Sequence, residues 1–128
     1  MSIRAMICDD AMFMRSVIRR SLSAAGIEVV AEAGGGAEAI ERYPEAQPDF
    51  VTMDLVMPGM TGVEATRGIR SVDPEARVLI ISAVGQDRMV ADALEAGAAD
   101  FLTKPFSEAD LIAKVRSLVE PAVREVAP

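Results

Sequence analysis

At 128 residues with 51% apolar, the chain is sized for one domain with one core, and this apolar content excludes disorder. A formal net charge of −7 argues against nucleic acid as a direct partner and favours a monomer. The chain has no histidine, which removes Ser-His-Asp and Cys-His catalysis and the usual zinc sites.

The single cysteine, Cys8, cannot form an internal disulfide. No apolar run reaches the length of a membrane span, and no N-terminal stretch reads as a signal peptide. A cytoplasmic setting is expected.

In chain order, Ile3–Cys8 reads as a strand that stops on two adjacent acids, Asp9 and Asp10. Met14, Val17, Ile18 and Leu22 then recur at helical spacing, and Gly26 stands where that helix would end. Ile27–Ala33 predicts a second strand. Ala37–Tyr43 predicts a short helix stopped by Pro44. Phe50–Met53 predicts a third strand, ending on Asp54. Thr61-Gly62-Val63-Glu64 is a capping-box pattern, and the helix it opens extends to Ser71.

Arg77–Ile81 predicts a fourth strand, apolar on both faces as a central parallel strand requires. Asp87–Ala96 predicts a helix closed by Gly97, and Ala99–Thr103 a fifth strand. Ser107 caps a last helix with Leu111, Val115 and Leu118 on one face. Pro121 is expected to end or kink it. The domain is placed at residues 1–120, with 121–128 a frayed tail and no output domain.

Five strand-helix repeats imply an α/β fold with a doubly wound, five-stranded parallel sheet covered by five helices. The economical strand order is 2-1-3-4-5. Winding then reverses between strands 1 and 3, and ligands bind where their carboxyl ends diverge. Asp9, Asp10 and Asp54 all fall there.

Two carboxylates ~5 Å apart repel by roughly 3 kcal/mol at an effective dielectric of 20. A third acid adds to this, in a domain whose whole stability is on the order of 10 kcal/mol. A hard divalent cation relieves the repulsion, so the cluster reads as a Mg²⁺ site with room for a phosphoryl group. Ser82 and Lys104 end strands 4 and 5 on the same rim, one a hydroxyl donor and the other a point charge. Lys104 precedes Pro105, so its bond is a candidate for the cis form.

Each residue taken singly has a simpler reading. Asp10 could cap the helix that follows, and Asp9 could be a solvated loop residue. Asp54 could be a turn acid before Pro58-Gly59, Ser82 a strand-end turn residue and Lys104 a surface charge. Their joint placement favours the site.

With those positions in view, residues 3–120 resemble the receiver domain of two-component response regulators. The resemblance rests on "CDD" at 8–10, "MDLVMPGMTG" at 53–62, "ISAVG" at 81–85 and "DFLTKPF" at 100–106. Among receivers the chain resembles the stand-alone, CheY-like chemotaxis regulators, and "DDAMFMR" and "SAVGQDRMVADALEAGAADFLTKPF" are most similar to the branch of these in which phosphorylation also feeds adaptation enzymes.

The resemblance implies a flavodoxin-like fold and a set of roles. Asp54 would be the phosphoacceptor, attacking a phosphohistidine on a CheA-like histidine kinase. Asp9, Asp10, Asp54 and the backbone carbonyl of Val56 would hold Mg²⁺, or Mn²⁺ in its place. Lys104 and Ser82 would hold the phosphoryl oxygens. Phe101 would be the aromatic switch, rotating inward as Ser82 moves. The fourth helix, fifth strand and fifth helix would form the face that binds a downstream protein. Catalysis would be confined to the chain's own phosphotransfer and dephosphorylation.

A phosphorelay intermediate and a phosphorylation-independent pseudo-receiver are the alternatives within the fold. An aspartate-nucleophile phosphatase would want a second acid where Val56 stands. Phe101 replaces the tyrosine common at its position. Val56 and Val84 are apolar where polar groups often position the hydrolytic water, so a slow decay of phospho-Asp54 is expected.

Three other features carry less. Gly34-Gly35-Gly36 lacks the Lys-Ser/Thr pair of a phosphate loop and reads as a mobile connection. Met12, Met57, Met60 and Met89 are candidates for the site rim. Arg15, Arg19 and Arg20 read as a solvated basic stripe on the first helix, where a kinase's phosphotransfer domain could dock.

Overall fold

The computed structural model describes residues 2–126, and side chains through residue 120. Five strands, β1 (Arg4–Cys8), β2 (Glu28–Ala33), β3 (Phe50–Asp54), β4 (Val78–Ser82) and β5 (Asp100–Thr103), pair in parallel. Their order is β2-β1-β3-β4-β5. Five helices alternate with them: α1 (Met12–Ala24), α2 (Gly36–Ala46), α3 (Gly62–Val72), α4 (Asp87–Glu95) and α5 (Glu108–Val126). The sheet order is the one inferred from the alternating pattern.

Period-two alternation sends side chains of the central strands to two separate cores. Met6, Cys8, Val51, Met53, Val78 and Ile80 pack with residues of α2, α3 and α4. Ala5, Ile7, Phe50, Leu79 and Ile81 pack with residues of α1 and α5. All five residues of β3 and of β4 are buried, as strands covered on both faces must be. The Thr61 capping box is formed in full: its hydroxyl accepts from the Glu64 N–H at 3.2 Å, and the Glu64 carboxylate accepts from the Thr61 N–H at 3.0 Å.

Pro44 does not stop α2, which continues to Ala46. Proline removes one amide donor, the one that would meet the Ile40 carbonyl, and the ladder is present again beyond it, where the Gln47 N–H donates to the Tyr43 carbonyl at 3.0 Å. Arg4 supplies what the helix end needs. Its guanidinium donates to the carbonyls of Ala46 at 2.6 Å and Gln47 at 3.3 Å. Gln47 closes the helix in the left-handed region at φ 46°. α5 likewise runs past Pro121 to Val126. Of the tail expected to fray, residues 127–128 and the side chains of 121–126 lie outside the described residues.

Strand limits shift by a residue at several ends, with one consequence for function. Asp54 and Ser82 are the last residues of β3 and β4, while Asp9 and Lys104 come one residue after β1 and β5. Gly62 then brings α3 against the end of β3. Its N–H donates to the Leu55 carbonyl at 2.8 Å. A Cβ there would collide with the Asp54 carbonyl oxygen and lie 2.8 Å from the Leu55 Cα. Overpacking against backbone cannot be relieved by a rotamer change, so Gly62→Ala is expected to cost about 2–3 kcal/mol in urea unfolding. A stability unchanged within error would show that the loop yields freely.

Candidate functional site

The β1–β3 pairing places Cys8 beside Met53, so the residues that follow, Asp9 just past β1 and Asp54 at the end of β3, lie side by side. Asp9 continues the ladder for one residue, its N–H donating to the Ala33 carbonyl at 3.1 Å. Its Oδ1 accepts from the Ala11 N–H at 2.8 Å. Asp9 is therefore no solvated loop residue: it is 1% exposed, and Asp54 is 9% exposed. Asp10 does not cap α1, because Ala11 holds the cap position and no side chain bonds there. Asp10 is exposed, with its carboxylate at the mouth of the cluster.

One carboxylate oxygen from each of Asp9, Asp10 and Asp54 lies within 4.8 Å of the others. Lys104 Nζ stands 3.7 Å from Asp54 Oδ1 and 4.0 Å from Asp9 Oδ2. The Lys104 N–H donates to the Ser82 carbonyl at 2.7 Å, which joins the two rim residues, and the Lys104–Pro105 bond is cis. The Ser82 hydroxyl is buried and pairs with the Thr103 hydroxyl at 3.3 Å. The five polar side chains expected at the rim thus occupy adjacent strand ends. Val56 follows on the β3–α3 loop with its side chain 55% exposed. Phe101 lies on β5, 38% exposed, with its ring turned toward Lys114.

The cluster is electrostatically strained. Burial, and next the charge of Asp9, push the Asp54 carboxyl up to about 6. Burial raises Asp9 as well, and the Ala11 N–H and then Lys104 offset it only in part. Asp9 Oδ2 is buried without a hydrogen-bond partner. A desolvated carboxylate oxygen with no donor, beside two other acids, is the donor set a hard cation takes. Cys8, directly beneath, is pushed up to about 12 by burial and then by Asp9, so it stays a thiol.

Several partners were not legible in the sequence. Thr103 is one. Arg15 is another: it is not part of a solvated stripe, because its guanidinium donates to the Asp9 carbonyl at 2.5 Å and meets Glu32 at 3.5 Å. Arg19 pairs with the same Glu32 at 2.6 Å. Gly36 is not a mobile connection but a packed residue of α2; a Cβ there would lie 2.9 Å from both the Ala65 Cβ and the Met60 Sδ. Of the rim methionines, Met57 is buried in the core and Met12 is exposed.

An acid cluster at the switch point of a 2-1-3-4-5 sheet, with a lysine and a hydroxyl on the same rim, defines a class. Residues 5–116 match the response regulator receiver domain, and the chain belongs to that family. Within it, the chain is similar to the chemotaxis protein CheY of Bacillus subtilis, at 52% identity over 83% of this chain and 88% of that protein. It is 46% identical to the CheY of Thermotoga maritima, over 88% of this chain and 93% of that one. In structure it resembles the CheX-CheY-BeF3-Mg complex from Borrelia burgdorferi, with a TM-score of 0.86 and 32% identity over 91% of this chain and 88% of that one. The chain is a receiver domain homologous to the CheY chemotaxis regulators. Receiver domains bind Mg²⁺ through a cluster of acids, which here is Asp9, Asp10 and Asp54. Among the described residues, no helix is long and apolar enough to cross a membrane.

The raised Asp54 has a defined consequence for the metal-free protein. Its folded value, about 6, lies above the ordinary 3.8, so the folded form binds the extra proton between those values. Stability from this group is present below pH 3.8 and lost as pH rises through 6. Asp54→Asn is therefore expected to raise stability at pH 7, in EDTA, by about 2–3 kcal/mol. At pH 4 the gain should nearly vanish. Urea unfolding of both proteins at the two pH values checks this, and an equal effect at both would contradict it.

Proposed function

We propose that this chain is a phosphorylation-activated signalling switch in chemotaxis or motility. Asp54 accepts a phosphoryl group from a phosphohistidine on a CheA-like histidine kinase, and altered protein binding carries the signal. The observation that carries this reading is the Asp54 carboxylate, buried beside Asp9 and 3.7 Å from Lys104 Nζ. The chain has no histidine of its own, so the donor imidazole comes from another protein.

In the step itself, an Asp54 carboxylate oxygen attacks phosphorus and the bond to the donor nitrogen breaks. The leaving imidazole keeps the electron pair. Lys104 neutralises charge on the transferring oxygens, and the Ser82 hydroxyl donates to one of them after leaving Thr103. Asp9, Asp10, Asp54 and the Val56 carbonyl would hold Mg²⁺, with Mn²⁺ an acceptable substitute. The bound cation supplies positive charge to the phosphoryl oxygens and favours the ionised, nucleophilic form of Asp54. The chain turns over no metabolite.

The new phosphoryl charge draws Ser82 and the Ala83-Val84-Gly85 loop toward it. Phe101 then moves into the space left behind Ser82. The reshaped face of α4, β5 and α5 binds the downstream protein. The working form is cytoplasmic and monomeric.

Asp54→Ala is expected to abolish labelling by the kinase and by a small acyl phosphate, together with phosphate-dependent partner binding. Labelling that persists in this variant would overturn the assignment. The apolar side chains of Val56 and Val84, 55% and 80% exposed, offer nothing to orient an attacking water. Val56→Asn should therefore lose its phosphoryl group several-fold faster than wild type. An unchanged half-life would contradict the role given to Val56.

A further inference from the structure

Phe101 is a large apolar side chain that stands 38% exposed on β5, next to Leu102, which is buried. A phenyl ring has no polar group that prefers water, so a contact that covers it favours the position in which that contact is made. The structure provides one from α5. Lys114 Nζ lies 5.7 Å from the centre of the Phe101 ring, within the range of a cation–π contact.

Lysine is a flexible cation, and fixing it over a ring costs rotamer entropy. Asp100 offsets that cost. Its Oδ2 accepts from Lys114 Nζ at 3.0 Å. Its Oδ1 accepts from the Phe101 N–H at 2.8 Å. One carboxylate thus holds both the backbone that carries the ring and the ammonium that covers it. Both charged side chains are about one-third exposed, so the contact is open to screening by salt.

We infer that Lys114, anchored by Asp100, is a positioning residue that clamps the Phe101 ring outward and biases the unphosphorylated switch toward its resting form. The inference rests on the role proposed above for Phe101, and extends it to two residues with no other assigned part. An exposed cation–π contact biases a two-state equilibrium by about two- to fivefold. Phosphorylation has to overcome this bias in addition to moving Ser82.

The test is made on the unphosphorylated protein, with ¹³C-labelled phenylalanine rings observed by NMR. Lys114→Met keeps an apolar stem and removes the charge. It is expected to raise the ratio of inward to outward Phe101 by about two- to fivefold. Lys114→Arg, which keeps a cation that stacks on rings, should restore the wild-type ratio. Asp100→Asn should shift the ratio in the same direction as Lys114→Met by a smaller factor, and high salt should do so in wild type. A ratio unchanged by Lys114→Met, or an Arg variant that behaves like Met, would overturn the clamp. Beryllofluoride with Mg²⁺ added to wild type separates the two readings. If the ring then fails to turn inward, the role of Phe101 itself is wrong, whatever the variants show.

Discussion

Mutual repulsion among three carboxylates is the constraint on which the rest of the molecule turns. Asp9 and Asp54 are nearly buried, Asp10 stands beside them, and one oxygen of Asp9 has no donor. Left alone, such a cluster works against folding. It persists because the sheet on which it sits is stabilised elsewhere, by two apolar cores that cover both faces. Local destabilisation maintained by a stable scaffold is common at functional sites.

The same repulsion makes the site responsive. A cation and a phosphoryl group change the local charge in opposite directions, and Lys104 lies within 4.0 Å of both buried acids to register either change. Lys104 also holds the Ser82 carbonyl through its backbone N–H. Ser82 is hydroxyl-bonded to Thr103, at the end of the strand that carries Phe101. A continuous set of contacts therefore runs from the acids to the exposed ring and on to Lys114 of α5. On the switch proposed above, this is the route by which a charge event at the carboxyl ends of β1 and β3 would reach the α4-β5-α5 face.

Much of this was legible in the residues themselves, for reasons that differ from element to element. Val78-Leu79-Ile80-Ile81 could only be a strand buried on both faces. Thr61 and Glu64 carry their capping chemistry within four residues. Asp9, Asp10, Asp54, Ser82 and Lys104 could be brought together because parallel winding fixes where strand ends fall. What escaped depends on partners remote in sequence. Pro44 looked like a helix stop, yet α2 continues two residues beyond it, and its end is met by Arg4, some forty residues earlier, which donates to the Ala46 and Gln47 carbonyls. Arg15 looked solvated because its fold back to the Asp9 carbonyl, and its pairing with Glu32 on β2, cannot be read from α1 alone. Asp10, which taken alone could have capped α1, stands in the acid cluster as its joint placement indicated, while Ala11 holds the cap position.

A single cation meeting these acids is what the switch depends on. Calorimetric titration of the unphosphorylated chain with Mg²⁺ at neutral pH, beside Asp9→Asn and Asp54→Asn, measures that directly. Saturable binding at one site in wild type, weakened at least tenfold in each variant, is the expected result. Binding that is absent in wild type, or indifferent to both substitutions, would contradict it.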